Sequence, residues 1–233
     1  MARELYADGD LEVGRFLFRG MSNADWTLQT SFDRLYADLD ARRRTAALAA
    51  LLSLFRDECW SLGIDVSTRD DVQLQTVGQH NGLPTRLLDW SESPYIAAFF
   101  AFYGVLEDPA ALRSRRLAIW AMAATNAIWS AELGVEVIRA RGVDNDRVRR
   151  QAGRFTYSRT PLRSIEEYVE RCAPDEPVLW QFTIPSSDVI EAIAELNLMG
   201  MSSTLLFPDL GGAARAAKSR LAISESKQAT ESI

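Results

Sequence analysis

Apolar residues change their spacing along the chain, and each change marks an element. Phe16-Leu17-Phe18, followed by Arg19-Gly20, is apolar at consecutive positions and predicts a short buried strand. From about Thr45 to Leu62 the apolar residues are Leu48, Leu51, Leu52, Phe55, Cys59 and Leu62, which is helical spacing, and Gly63 is placed to stop it. Asp70 to about His80 predicts a second helix ended by Asn81-Gly82. Ser93-Pro94 reads as an N-cap and a first-turn proline. The segment YIAAFFAFYGVL (95–106) that follows is apolar nearly all round, as a buried helix is.

The second half continues in the same mixed style. Leu117 to Ala123 predicts a buried strand and Val135 to Ala140 another. Val178, Trp180, Phe182 and Ile184 alternate with Leu179, Gln181 and Thr183 up to Pro185, a strand pattern. Ser187 is expected to cap a helix to Leu198, closed by Gly200; STLLF (203–207) is expected as a late strand; a final short helix is expected over 212–222. Residues 1–15 read as a loosely held polar lead-in, and 223–233 as a disordered tail. No linker interrupts 16–222, no repeat is visible, and there is no regular βαβ rhythm. The expected class is therefore α+β in a single domain over 16–222.

Composition narrows the function classes. Of 233 residues, 26 are basic and 32 acidic, a formal net charge of −6. That weighs against a protein that coats nucleic acid, while leaving room for a local basic groove. The runs Arg42-Arg43-Arg44 and Arg147, Arg149, Arg150 read as solvated helix faces. Cys59 and Cys172 form no CxxC pair, and one histidine does not complete a zinc set, so no metal is expected and both thiols read as small buried hydrophobes. No charged leader precedes an apolar segment, and no run approaches the roughly 20 apolar residues that span a bilayer. A cytoplasmic location with no membrane partner is the expectation. P-loop, GxGxxG, HExxH and GxSxG patterns are absent.

The candidate chemistry gathers in two places. Arg19, at a strand end beside Gly20, can aim a five-donor fork at phosphate or carboxylate, or serve a structural ion pair. The stretch QHNGLPTRLLDW (79–90) holds the only histidine, His80, in the last turn of a helix, where the dipole favours its cation. A hydrogen-bonded structural imidazole is the bland alternative. Arg86 and Asp89, three apart, are expected to pair and hold the loop. Trp90, Ser91 and Ser93 offer a ring and two hydroxyls before a helix N-terminus, suited to an anion or an amide; capping by Ser93 alone is the simpler reading.

Several of these stretches together resemble the FRG domain family. They are FLFRGMS (16–22), the W-x-L-x-x-S-x-x-R pattern from Trp26 to Arg34, and LQTVGQHNGLPTRLLDWSESPYIAAFFA (74–101). RQAGRFTY (150–157) and STLLFPDLGGAA (203–214) also look like family segments. The resemblance places His80 inside a signature with Gln79, Thr85, Arg86, Asp89 and Trp90. It implies a bacterial defence or phage-related setting without fixing an activity.

The order of parts is also similar, more distantly, to the Arg-Ser-Glu class of ADP-ribosyltransferases. That resemblance implies small mixed sheets with helices around a central cleft, and NAD as substrate. Arg19 would hold its phosphate, with Gly20, Thr85, Arg86, Trp90, Ser91 and Ser93 around it. Asp209 would be the late acid in place of Glu, and His80 a base toward the acceptor. The Ser-Thr-Ser and ExE sequences of that class are missing, and Glu191, Glu195, Glu166 and Glu167 rank below Asp209 as the acid. Three functions follow: an ADP-ribosyltransferase-like toxin or anti-phage effector with an unnamed protein or nucleic-acid acceptor; a non-catalytic module that recognises a nucleotide or nucleic-acid end; and, weakest, a hydrolase using His80 and Asp89.

Overall fold

The structure, a computed structural model, describes residues 5–6, 12–107, 115–139 and 151–231. The Arg147, Arg149, Arg150 run and the Ala140 end of the expected strand lie outside the described residues. The strands are β1 (Phe16–Met21), β2 (Leu87–Ser91), β3 (Arg116–Ala123), β4 (Val135–Ile138), β5 (Gly153–Ser158) and β6 (Leu179–Pro185). The helices are α1 (Ser31–Leu35), α2 (Ala41–Ser61), α3 (Asp71–His80), α4 (Pro94–Glu107), α5 (Ile165–Cys172), α6 (Val189–Leu198), α7 (Ser203–Leu206) and α8 (Leu210–Glu231). The fold is α+β, with one six-stranded sheet in the order β4-β5-β2-β1-β3-β6. Among the described residues every pairing is antiparallel and lies in this one sheet, where several small mixed ones were expected.

β1 is central and buried on both faces, which is why its apolar residues run without alternation. Phe16 and Phe18 pack with α4 and α6 through Phe99, Ala101 and Ile193. Leu17 and Met21 face the other way, onto Leu88, Trp90, Trp120 and α5. Gly20 lets α4 lie against the strand: a Cβ there would come 1.8 Å from the Ala97 carbonyl oxygen. Leu5, inside the expected loose lead-in, is buried in the same core as α4.

The sheet is not evenly knitted. β1 pairs with β3 from Phe16↔Ala123 to Met21↔Ala118, and β2 pairs with β5 from Leu87↔Tyr157 to Ser91↔Gly153. Between β1 and β2 the register holds one pair, Phe18↔Ser91, and beyond it the strands part. The sheet is thus two three-stranded halves joined at a point.

Several expectations are corrected. Residues 87–91, read as part of a loop, form β2, because Leu87, Leu88, Trp90 and Ser91 are buried between neighbours on both sides. STLLF is a helical turn, since the Ser202 hydroxyl caps it by accepting from Leu205 N at 3.3 Å. Helix α2 starts at Ala41, capped by Asp40, four residues before its apolar spacing becomes visible. Ser187 lies in a 3-10 turn (Ser186–Asp188) ahead of α6, with no side-chain cap. Helix α8 continues through the expected disordered tail to Glu231. Arg44 is not on a solvated face: it is buried against Asp33. No described helix is long and apolar enough to cross a membrane.

Candidate functional site

Where β1 and β2 part, a cleft of about 860 Å3 opens. Its walls are the two strand edges, with Arg19 from β1 and Asp89 from β2 facing each other. Arg19 Nη1 donates to the Asp89 main-chain carbonyl at 2.7 Å and lies 3.8 Å from Asp89 Oδ2. A side chain thereby fills a position that a ladder hydrogen bond holds elsewhere in the sheet. The buried Arg19 Nε finds no hydrogen-bond partner among the described residues.

Asp89 is held from a second side. Gln79, in the last turn of α3, donates its amide to both carboxylate oxygens at 2.8 Å. The carboxylate is open to the cleft, its side chain 55% exposed, yet protein crowds it from below. That crowding pushes its carboxyl above the usual aspartate range, against the opposing pull of Arg19, His80 and the Gln79 amide. The same desolvation lowers the Arg19 guanidinium; Asp89 opposes this and Arg34 adds to it. Arginine still keeps its charge at any ordinary pH.

Around this pair stand other groups of matching chemistry. Arg34 lines the cleft with Nη1 donating to the Gln29 carbonyl at 2.5 Å. Arg154 lines it too, paired with Glu92. Trp26 presents a half-exposed indole, and Phe100 and Phe207 supply an apolar wall. Sequence reasoning passed over these residues, although Trp26 and Arg34 bracket the W-x-L-x-x-S-x-x-R stretch. A smaller pocket of about 430 Å3 adjoins the cleft and shares Arg19, Gln29, Arg34, Gln79 and Asp89 with it.

Of the residues singled out from sequence, Arg19, Gly20, Gln79, His80, Asp89, Trp90 and Ser91 line the cleft. Gly20, Trp90 and Ser91 also make contacts within the fold. Gly20 is required by α4. The Trp90 indole is buried, with Nε1 donating to Thr156 Oγ1 at 3.1 Å, so it is not a free stacking platform. The Ser91 hydroxyl donates to the Gln151 carbonyl at 2.8 Å.

Thr85, Arg86, Ser93 and Asp209 do not line the cleft. Thr85 is fully buried behind Gln79. Arg86 donates to Asp33 Oδ1 at 2.9 Å within the core and does not pair with Asp89. In extended chain, positions three apart face opposite sides, which separates Arg86 from Asp89. Ser93 serves α4, accepting from Ile96 N at 3.4 Å. Asp209 is exposed and accepts from Gly212 N at 2.9 Å at the start of α8. Among the described residues, the acids that line the cleft are Asp25 and Asp89.

The site is thus a cationic, aromatic-walled cleft with a carboxylate at its floor, set in a split antiparallel sheet. Residues 14–108 match the model of the FRG domain family. The matched span supplies β1, β2 and α1 to α4, and with them Arg19, Gln79, His80 and Asp89. Neither the curated proteins nor the solved structures gave a match to this chain.

Proposed function

We propose that the cleft binds NAD and that the protein is an ADP-ribosyltransferase-like enzyme, acting as a toxin or anti-phage effector. One observation carries this reading: Arg19 and Asp89 face each other across a single cleft that also holds Arg34, Arg154 and the exposed ring of Trp26. The volume suits a dinucleotide-sized ligand. Guanidinium groups match a pyrophosphate, and an indole offers a face to a ring. The acid in this scheme is Asp89, not Asp209. As the ribose C1′–N bond breaks, its electron pair leaves with neutral nicotinamide and positive charge develops on the sugar. A fixed carboxylate stabilises that charge more than it stabilises the substrate. The acceptor then bonds to C1′ and gives up its proton, for which His80 on the cleft wall is the candidate base.

A binding module without turnover is the second reading. It is favoured by the engagement of the Ser91 hydroxyl with Gln151, which leaves no free hydroxyl from that residue in the cleft.

The test is incubation of the purified chain with NAD labelled in its ADP-ribose part, plus cell extract, following nicotinamide release and label transfer. Arg19→Ala and Asp89→Asn are each expected to lower turnover by about 100-fold with an unchanged circular dichroism spectrum. Binding of NAD without release of nicotinamide moves the conclusion to the module. Neither binding nor release removes both.

A further inference from the structure

The contacts of Asp89 extend one residue further than the cleft wall. Thr85 Oγ1 donates to Gln79 Oε1 at 2.9 Å, and Gln79 Nε2 donates to both Asp89 oxygens at 2.8 Å. Only one orientation of the Gln79 amide makes both contacts favourable, since the reverse would set its oxygen against the carboxylate. Thr85 is fully buried, and its own placement is fixed from α1. Its N–H donates to Ser31 Oγ at 3.0 Å, and its carbonyl accepts from Phe32 N at 3.1 Å. The hydroxyl also accepts from Leu87 N at 3.4 Å, so its proton is directed away, toward Gln79.

These three residues lie on a helix end, a connecting loop and a strand, within eleven positions. A residue that only needed to fill space at 79 or 85 would not have to be an amide or a hydroxyl. We propose that Thr85 and Gln79 are positioning residues: the buried hydroxyl sets the amide, and the amide holds the Asp89 carboxylate ionised and aimed into the cleft. Among the described residues, the charged and titratable groups facing that carboxylate are Arg19 from β1 and His80 from α3, with Arg34 beyond Arg19. From β5 the residue opposite is Phe155, which carries no charge. The device concerns the carboxylate alone and holds for whatever ligand the cleft accepts.

The test is the carboxyl carbon titration of Asp89 by NMR in the isotope-labelled, ligand-free chain. Gln79→Met removes both donors and is expected to raise the Asp89 midpoint by about one pH unit, a tenfold gain in proton affinity. Thr85→Val keeps the shape, loses the hydroxyl, and is expected to raise it by less. Thr85→Ser restores the hydroxyl and is expected to return the midpoint to the wild-type position. An unmoved midpoint in Gln79→Met overturns the proposal, and this variant decides alone should Thr85→Val not fold. An unmoved midpoint in folded Thr85→Val, or a Thr85→Ser shift as large as that of Thr85→Val, overturns it too, because packing would then explain the effect. Nicotinamide release plays no part in this readout, so its failure leaves the NAD reading where it stands.

Discussion

Arg19 Nη1 donates to the main-chain carbonyl of Asp89 at 2.7 Å, across the gap where β1 and β2 separate. The guanidinium therefore does two things at once. It ties the two halves of the sheet together past their single residue pair, and it lines the cleft. Lysine offers a point charge and no planar fork, so it would not reproduce this geometry.

Gly20, the next residue, controls how closely α4 approaches. A Cβ at this position would stand 1.8 Å from the Ala97 oxygen and 2.7 Å from the Ala101 nitrogen, both backbone atoms that cannot swing aside. Gly20→Ala is expected to cost about 3 kcal/mol in urea unfolding, or to prevent folding. Wild-type stability in that variant would show that α4 shifts freely on β1.

Arg86 belongs to the core. Its guanidinium meets Asp33, which also lies 3.7 Å from the buried Arg44, while Thr30 Oγ1 donates to the same carboxylate at 2.7 Å. Arg86→Met is expected to destabilise the fold by about 3–5 kcal/mol, the cost of upsetting a buried ionic cluster. In the folded fraction, ligand affinity is expected to stay at the wild-type level. A large loss of affinity with intact stability would return Arg86 to the binding site.

Asp89 links stability to pH. Burial raises its carboxyl in the folded state, so the folded chain keeps this proton to a higher pH than the unfolded chain does. The stability this contributes is present below the ordinary aspartate value and is lost as pH rises through the raised one. Asp89→Asn removes that loss. Unfolding free energies measured across the window are expected to favour the variant increasingly as pH rises, then to run parallel. A difference that shrinks as pH rises would mean that Arg19 outweighs burial.

Asp209 has a structural task at the start of α8, where its carboxylate accepts from Gly212 N. Asp209→Ala is expected to cost about 1 kcal/mol of stability, as the loss of an N-terminal cap does, with no change in ligand affinity. A loss of affinity in the folded variant would restore it as the acid of the site.

Local chemistry makes much of this molecule legible in its sequence. The buried strand at 16–21, the α3 and α4 helices with their Asp70 and Ser93 caps, and the alternating β6 follow from spacing and end signals. Helix α5 is equally readable: Ile165, Tyr168, Val169 and Cys172 sit at helical spacing, the Ser164 hydroxyl accepts from Glu167 N, and the Glu167 carboxylate accepts from Arg163 N. Strand β2 was hidden because burial on both faces removes alternation, and Asp89 breaks its apolar run. The cleft was legible as a location, since Arg19, His80, Trp90 and Ser91 all reach it. Its acid was not. Whether Asp89 or Asp209 faces Arg19 depends on how far β1 and β2 diverge, and that is a property of the whole sheet.

The most direct test is the calorimetric dissociation constant for NAD, measured on the wild-type chain and on Arg19→Ala at one fixed ionic strength. Measurable binding by the wild-type chain, weakened at least about tenfold in the variant through loss of a charge-assisted contact, is the expected result. Equal affinity in the two proteins, or no binding by either, would contradict the placement of a dinucleotide between β1 and β2.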